Sequence, residues 1–368
     1  MRPETDPQRM LADAARQFAT RRNDSARVRA CRDRTPGIDP DVWADMAELG
    51  WLAMLAAEAD GGMAASLSDM GQLVYRWGAS CAPEPLVATA VLAVRLLTLG
   101  DGPARNQLLS STMNGTAMPA LAWLDAGARC EREQAGWSIS GTARYVVPAD
   151  ASHLLLVFPA GTGAPCLALP ASTAGLSIER ERRVDGSAAL QIAFEGLQVS
   201  DGAAVCSGES AAQAAEQARD SALVMAAVEM TGLMSTLNAL TVDYLNTRVQ
   251  FGKPIGSFQA LQHKAVDMHI AEQLARDVAQ AACAVMDGEP TIAERACAAS
   301  RAKARACRSV DTIARMAVQL HGAIGFTDEY DLSLYVNRAL VLSAWLGNAD
   351  EHVARYARHA PPFEAAYA

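Results

Sequence analysis

The 368-residue chain is 51% hydrophobic and 20% charged, which is typical of a globular protein large enough to bury two or three layers of secondary structure. Its net charge of -9 and its isoelectric point near 5.2 exclude a general affinity for nucleic acid, because phosphate binding requires a cationic face. The polar start of the sequence, and the lack of an apolar run approaching the ~20 residues of a membrane span, predict a cytoplasmic protein with no signal peptide and no membrane span.

Residues 1–112 have the pattern of a helical domain, since alanine, leucine and other apolar residues recur at helical spacing. Asp39 and Pro40 supply an N-cap and a proline suited to the first turn of a helix, and Gly50 is placed to end that helix. A further helix is predicted up to the neighbourhood of Trp77. These features indicate a bundle of helices.

The composition changes after Gly115, and residues 113–208 contain short stretches rich in Val, Ile, Leu, Tyr and Phe between glycine and proline turns. The stretches are WSISGTARYVV, HLLLVF, PCLALP, LSIERERRV and LQIAFEGLQV. This pattern predicts a compact β domain of about 90 residues.

The helical pattern returns in residues 209–368. One long helix is indicated by an apolar stripe with steps of three or four residues, at Leu223, Ala227, Met230, Met234, Leu237, Thr241 and Tyr244. A second stripe is predicted at Leu261, Ala265, Met268, Leu274, Val278, Ala282 and Val285. Helices, then a β domain, then long helices exclude a doubly wound sheet or a barrel for the whole chain, so we predict a mainly α protein with a central β domain.

Cysteine and histidine residues show no metal-binding pattern. The eight cysteines are scattered with no C-x-x-C pair, so we expect thiols rather than disulfides or a zinc site. The spacing of His263, His269 and His321 does not place two imidazoles on one helical face beside a carboxylate. The sequence therefore predicts no metal centre.

Two segments carry residue types suited to a dinucleotide. The first, the arginine segment, is Arg248–Ile255, and its arginine offers a fork of donors for a pyrophosphate. The second, the glycine segment, is Gln319–Tyr330, in which Gly322 and Gly325 let backbone amides approach a ligand closely. Taken singly, the arginine also fits a surface ion pair at a helix end, and the glycines also fit a plain helix stop.

Together, these segments resemble the most recognisable parts of the acyl-CoA dehydrogenase family, and the resemblance covers nearly the whole chain. It implies an N-terminal helical bundle, a middle β-barrel-like domain and a C-terminal four-helix bundle, with FAD as cofactor. It also implies that the pyrophosphate and adenosine end of a neighbouring subunit's FAD is held by Arg248, Phe251, Gln319, Gly322 and Gly325. An oligomer follows from that arrangement.

The family's general base is missing from this sequence. An acyl-CoA dehydrogenase removes the α-proton of a thioester with a carboxylate while a hydride passes to the flavin. Counting forward from Gln319 puts Leu346 at the place of the usual glutamate, and the alternative base position on the preceding long helix holds Ala222. Neither side chain takes a proton. Asp220, Glu229, Asp350 and Glu351 lie close by in sequence and are candidates for a substitute base, but each points along a different helical direction from the lost carboxylate.

The β domain departs from the family in the stretches that face the flavin. Trp123–Gly127 and Tyr145–Ala149 replace them, so the losses concern the isoalloxazine and thioester half of the site. The resemblance then implies one subunit of a heteromeric acyl-CoA dehydrogenase of fatty acid or steroid degradation, with an acyl-CoA substrate, a second acyl-CoA dehydrogenase-like subunit and an electron-transfer flavoprotein as partners. A homo-oligomeric enzyme with a displaced base and a non-catalytic scaffold subunit stay open as alternatives.

Overall fold

The computed structural model describes residues 5–361. The chain divides into two compact units. The first unit comprises Met1–Arg29, Leu67–Ala82 and Leu223–Ala368 as far as they are described, and the second comprises Ala30–Ser66 and Pro83–Ala222. The expectation of a mainly α protein with a central β region is confirmed. The division into domains at residues 112 and 208 stays a prediction.

Residues 5–113 contain six α-helices, including the two that the sequence signals placed after Asp39 and up to the neighbourhood of Trp77. They are α1 (Asp6–Arg22), α2 (Ser25–Arg32), α3 (Pro40–Glu48), α4 (Leu67–Ala79), α5 (Val94–Leu99, continuing a π-helical stretch, Val87–Ala93) and α6 (Arg105–Met113). The side chain of Asp39 accepts a hydrogen bond from the Asp41 amide, which caps α3. Gly50 follows this helix with φ +76°, a left-handed conformation that glycine adopts without steric cost.

The β region of the second unit consists of two four-stranded sheets. The strands are β1 (Pro119–Trp123), β2 (Arg129–Glu133), β3 (Gly136–Val146), β4 (His153–Val157), β5 (Cys166–Pro170), β6 (Ser177–Arg182), β7 (Ala188–Ser200) and β8 (Ala204–Cys206). Their orders are β1-β4-β5-β8, with β1 and β4 parallel, and β2-β3-β7-β6. Inward-facing residues from both sheets share one apolar core, for example Leu156 and Ile192.

The C-terminal half of the chain is built from long helices. They are α7 (Gly208–Thr247), α8 (Gln259–Met286), α9 (Ile292–His321), α10 (Leu332–Ala344) and α11 (Ala349–His359). The stripe predicted on α7 is confirmed, because its members from Leu223 to Thr241 are fully buried and Tyr244 is half-buried. Helix α7 belongs to both units, which divide between Ala222 and Leu223.

One helix in the described part of the chain, Ser210–Thr247, is long and apolar enough to cross a membrane by length and composition, with mean hydropathy 1.4 over its most apolar window. The sequence therefore does contain a run of this kind, contrary to our expectation. However, 72% of that window is buried inside the protein. Burial in a protein core explains the hydropathy of this helix without a membrane.

The stripe predicted on α8 was partly wrong. Met268 and Ala282 are buried as expected, but Leu274 is 47% exposed. The buried face of α8 is instead completed by small residues, Ala275 and Ala279, which allow a close approach of neighbouring helices. Helix α8 thus has two apolar faces, and its outer face exposes Val266, Ile270 and Leu274 at four-residue spacing.

Helices α4 and α7 cross with their backbones in direct contact. A Cβ atom added to Gly78 of α4 would lie 2.2 Å from the carbonyl oxygen of Glu229. A Cβ atom added to Gly232 of α7 would lie 2.2 Å from the carbonyl oxygen of Tyr75. Both positions therefore require glycine, because the clashing atoms belong to backbone that is held within helices.

Gly78→Ala should lower the free energy of unfolding by about 2–3 kcal/mol, because the new methyl group forces two packed helices apart. Gly71→Ala on the same helix is the matched control, since its nearest atoms would lie 3.8 Å away at the ends of Cys283 and Met225. That change should be neutral or stabilise by up to about 1 kcal/mol through helix propensity. Urea unfolding of both variants tests the crossing, and equal stabilities would contradict it.

Candidate functional site

The C-terminal ends of α7 and α9 are joined by an aromatic cluster. The rings of Tyr244 on α7 and His321 on α9 are stacked, with centroids 4.5 Å apart and an interplanar angle of 26°. Tyr330 lies 5.2 Å from His321 and 6.4 Å from Tyr244. We call these three residues the aromatic clamp. Because Tyr244 precedes the arginine segment and the other two belong to the glycine segment, the clamp brings the two segments together.

The arginine segment forms a short β-hairpin with a two-residue loop, directly after the end of α7. Its strands are β9 (Val249–Gln250) and β10 (Lys253–Pro254), and the tip consists of Phe251 and Gly252. Both tip residues have positive φ, +54° and +77°, as the tightest right-twisted hairpins require. Phenylalanine is an unfavourable residue for that conformation, and its side chain is 90% exposed. The ring of Phe251 contacts that of Phe258 edge-to-face, with centroids 6.1 Å apart, and most of it is open to solvent beside the exposed Arg248.

The glycine segment ends α9 and continues as a short 3-10 helix, Gly322–Phe326. Gln319 is exposed. Gly322 has φ +67° and no atom within 4 Å of the place of a Cβ, so its backbone faces open space. Gly325 is buried, and a Cβ there would lie 3.1 Å from the Cβ of His321. Packing against the end of α9 thus accounts for the glycine at 325.

His321 is held by its own helix. It is buried, and its Nδ1 lies 2.7 Å from the carbonyl oxygen of Ala317, to which it donates. Burial lowers the pKa of His321, so the ring is neutral near pH 7. Among the described residues there is no cluster of three side chains suited to a metal ion. His321 is thus a packing residue at the end of α9.

Leu346 occupies the turn between α10 and α11 and has a left-handed backbone, with φ +59°. It is half-buried, and Gly347 after it has φ +109°. The ammonium group of Lys303, which is fully buried, donates to the carbonyl oxygens of Leu342 at 2.9 Å, Ser343 at 3.2 Å and Gly347 at 3.0 Å. Lys303 therefore satisfies carbonyls at the end of α10 and in the turn.

The carboxylates considered as substitute bases are placed as follows. Glu229 is buried and accepts two hydrogen bonds from Arg338, at 2.7 and 3.1 Å. Glu351 accepts from the backbone amide of Asn348 at 2.9 Å and caps α11. Asp350 is exposed, and Asp220 is buried on α7. The first two carboxylates are thus committed to structural contacts. Ala222 is fully buried on α7, so neither it nor Leu346 offers a proton acceptor.

The β sheets place an exposed aromatic side chain in the stretch Tyr145–Ala149, which the sequence predicted to replace the flavin-facing residues of the family. Tyr145 is 70% exposed with φ +57°, in an irregular stretch of β3 between Ala143 and Val146. The indole N–H of Trp123 is buried without a hydrogen-bond partner, and its ring lies 5.9 Å from the Arg219 guanidinium. A buried unpaired donor is uncommon in a finished core and fits a place where a polar group binds.

Models of the acyl-CoA dehydrogenase N-terminal domain and of its C-terminal domain match residues 5–116 and 212–360. The chain belongs to the acyl-CoA dehydrogenase family. It is 28% identical over 335 residues to the acyl-CoA dehydrogenase IpdE2 of Mycobacterium tuberculosis, covering 91% of each chain. It is 28% identical over 363 residues to acyl-CoA dehydrogenase FadE34 of the same organism, covering 95% of this chain and 47% of that one.

Solved structures show the same fold. A variant of the steroid acyl-CoA dehydrogenase Tcur3481-Tcur3483 has a TM-score of 0.86 at 27% identity, covering 98% of this chain and 99% of that one. The ChsE4-ChsE5 complex of Mycobacterium tuberculosis has a TM-score of 0.89 at 20% identity, with the same coverage. Butyryl-CoA dehydrogenase of Megasphaera elsdenii has a TM-score of 0.84 at 18% identity, covering 97% of this chain and 98% of that one.

The predictions of family, of an oxidoreductase acting on CH–CH bonds and of FAD as cofactor are confirmed. The residues present fit the two ends of FAD unequally. The pyrophosphate and the adenine ring find suitable groups in the open backbone at Gly322, the exposed Arg248 and the ring of Phe251. When bound, the flavin accepts the hydride, and the described residues at positions 222 and 346 offer no partner to take the α-proton. The roles of the individual residues stay predictions.

The sequence patterns missed the aromatic clamp as part of the site. A signal for it existed, since Tyr244 lies four residues before Arg248, and His321 and Tyr330 flank the glycines. Four residues is one helical turn, so the tyrosine lies on the same face as the arginine. Which rings meet, however, depends on the approach of two helices that are far apart in sequence.

His321 should make the protein less stable in acid. Its pKa in the fold lies below the unfolded value of 6.5, so the unfolded chain binds more protons as the pH falls past that value. The stability that depends on a neutral ring is present above pH 6.5 and is lost as the pH falls through the folded pKa. Urea unfolding of the natural protein and of His321→Phe from about pH 5 to pH 8 should give curves that diverge below about pH 6.5. Parallel curves would contradict this assignment.

Lys303→Met should lower the free energy of unfolding by about 2–4 kcal/mol, because it leaves carbonyls at the end of α10 unpaired. The loss is partly offset, since burial lowers the pKa of Lys303 and thus disfavours its charged form. Lys264→Met at a half-buried position of α8 is the matched control and should change stability by less than about 0.5 kcal/mol. Thermal and urea unfolding measure both changes, and similar values for the two variants would rule out the capping role.

Proposed function

We propose that this chain is one subunit of a heteromeric, FAD-dependent acyl-CoA dehydrogenase that introduces an α,β double bond into an acyl-CoA. The chain supplies the pyrophosphate and adenosine half of the FAD site to a catalytic partner subunit. The partner contributes the general base and the flavin-facing half. The electrons then pass to an electron-transfer flavoprotein, and the assembly works in the cytoplasm.

The observation that carries this proposal is the hairpin tip. Phe251 has an unfavourable left-handed backbone, and its ring is 90% exposed although one edge-to-face contact joins it to Phe258. A strained residue of this kind persists where the surrounding structure and a function hold it. An exposed ring next to an exposed arginine is suited to a dinucleotide brought by another subunit.

The second support is the asymmetry of the two halves. The arginine and glycine segments keep their residues, whereas Leu346 and Ala222 stand where the family carries a carboxylate. Loss of a positioned general base typically lowers a rate by about 10²–10⁴-fold. A partner that carries the base removes this difficulty. The outer face of α8, with Val266, Ile270 and Leu274 exposed, provides apolar surface for such a subunit contact.

The substrate we propose is an acyl-CoA with a bulky group, such as one derived from a steroid. The support is the likeness at 27% identity to a steroid acyl-CoA dehydrogenase, over nearly the whole of both chains. Branched and dicarboxylic acyl groups are alternatives that the residues of this chain do not distinguish. Direct assay with thioesters of each class separates them.

A second candidate function is a homo-oligomeric dehydrogenase with a displaced base. The buried Asp220 on α7 favours it, because this carboxylate lies two residues from Ala222 and is screened from water. Under this alternative, the chain alone binds one FAD per subunit and reduces it with acyl-CoA. A third candidate, a scaffold subunit, binds no FAD with any partner.

The test is to purify the chain alone and together with a neighbouring acyl-CoA dehydrogenase-like gene product, then to count FAD per chain by absorbance and follow bleaching by acyl-CoA. We expect flavin and bleaching only with the partner. In the assembled pair, Arg248→Gln should weaken FAD binding by about 10–100-fold through loss of charge-assisted hydrogen bonds. Arg16→Gln, an exposed arginine paired with Asp13 on α1, is the matched control and should change nothing.

Each outcome decides between the candidates. A lone chain that is fully flavinated and bleached would replace the heteromer with the homo-oligomer, and Asp220→Asn would then be examined for loss of bleaching. If the chain carries no flavin with or without a partner, only the third candidate, a scaffold subunit, agrees with the result. Equal FAD affinity in the Arg248 and Arg16 variants would show that Arg248 does not bind FAD.

A further inference from the structure

The two segments assigned to the cofactor lie on different helices, and side-chain rings bridge them. Tyr244 is four residues before Arg248, and His321 directly precedes Gly322. The rings of Tyr244 and His321 are stacked at 4.5 Å, so the last turns of α7 and α9 meet ring against ring. Tyr330 then contacts His321 at 5.2 Å, from the stretch that leads to α10.

Burial and a hydrogen bond hold His321 in its stack with Tyr244. His321 is 4% exposed, and its Nδ1 donates to the Ala317 carbonyl at 2.7 Å, which sets the orientation of the ring. Both helix ends would otherwise be free to fray, since the last carbonyls of a helix have no partners within it. The amide of Arg248 is bonded to the Tyr244 carbonyl at 2.9 Å, so a displacement of the tyrosine reaches the arginine directly.

We propose that His321 is a positioning residue, held between Tyr244 and Tyr330, that makes the arginine segment and the glycine segment a single binding surface for the pyrophosphate and adenosine end of FAD. This inference rests on the proposed function. His321 itself is buried and does not have to touch the ligand. It sets the separation of Arg248 and Phe251 on one side from Gly322 on the other.

The first test compares His321→Ala with His321→Phe in the assembled pair. The alanine variant removes the stack and should weaken FAD binding by up to about tenfold, since a ring contact of this type is worth up to roughly one decade in affinity. The phenylalanine variant keeps the stack without the hydrogen bond and should stay within about threefold of the natural protein. Rescue by phenylalanine would assign the effect to the rings.

The matched control is Phe18→Ala in the same compact unit, where Phe18 and Trp77 pack with ring centroids 6.2 Å apart. This variant loses a buried aromatic contact far from both segments in sequence. It should lower the melting temperature at least as much as His321→Ala while leaving FAD affinity unchanged. If both variants weaken FAD binding equally for equal losses of melting temperature, His321 is merely structural and the proposal is overturned.

Amide exchange on the chain alone makes the inference independent of flavin. His321→Ala should increase exchange by about tenfold at the hydrogen-bonded amides of Ile255 and Thr327, one in each segment, and leave amides of α1 unchanged. If the assembled pair of subunits binds no FAD, the proposed function is wrong, but the amide-exchange result for the chain alone still stands. Unchanged exchange in both segments of the alanine variant would overturn the positioning role even if the natural pair binds FAD.

Discussion

The close approach of helix backbones is the constraint on which the first compact unit depends. Gly78 and Gly232 let α4 and α7 cross with no side chain between them, and α9 buries a face made largely of alanines. Small residues at such contacts shorten the distance between helix axes. Larger residues there would separate the helices and, with them, the ends at which Tyr244 and His321 stack. The geometry of the candidate site therefore follows from the packing of helices that carry no ligand-binding residue.

Buried charge is used in this fold for structure. Lys303 lies in the core with its ammonium group against main-chain carbonyls, and Glu229 is paired with Arg338. Each of these groups is costly to bury alone and is stable only because its partners are in place. The left-handed turn at Leu346 thus persists although its side chain is unreactive. The contacts of Lys303 hold the turn without any reactive side chain at position 346.

The proposed heteromer gives a physical reason for this uneven preservation. Such a subunit contributes an arginine, an exposed ring and an open backbone to the FAD site of its neighbour. It therefore needs the structure of its hairpin and of its helix ends. It need not keep a carboxylate for proton transfer. Under this proposal, exposed Phe251 and the outer apolar face of α8 belong to contacts between subunits, which would remove both from water in the assembly.

The sequence by itself determined the order of helices and strands, the family, and the positions of the arginine and glycine segments, because these depend on local periodicity, turn residues and contiguous motifs. Counting from Gln319 predicted that Leu346 stands at the place of the usual glutamate, and that assignment stays a prediction. The sequence did not determine which face of α8 is buried, because that helix is apolar on two faces and only its neighbours decide between them. The aromatic clamp and the partners of Lys303 and Glu229 were likewise decided by tertiary structure, since those contacts join residues tens of positions or more apart whose approach depends on how whole helices pack.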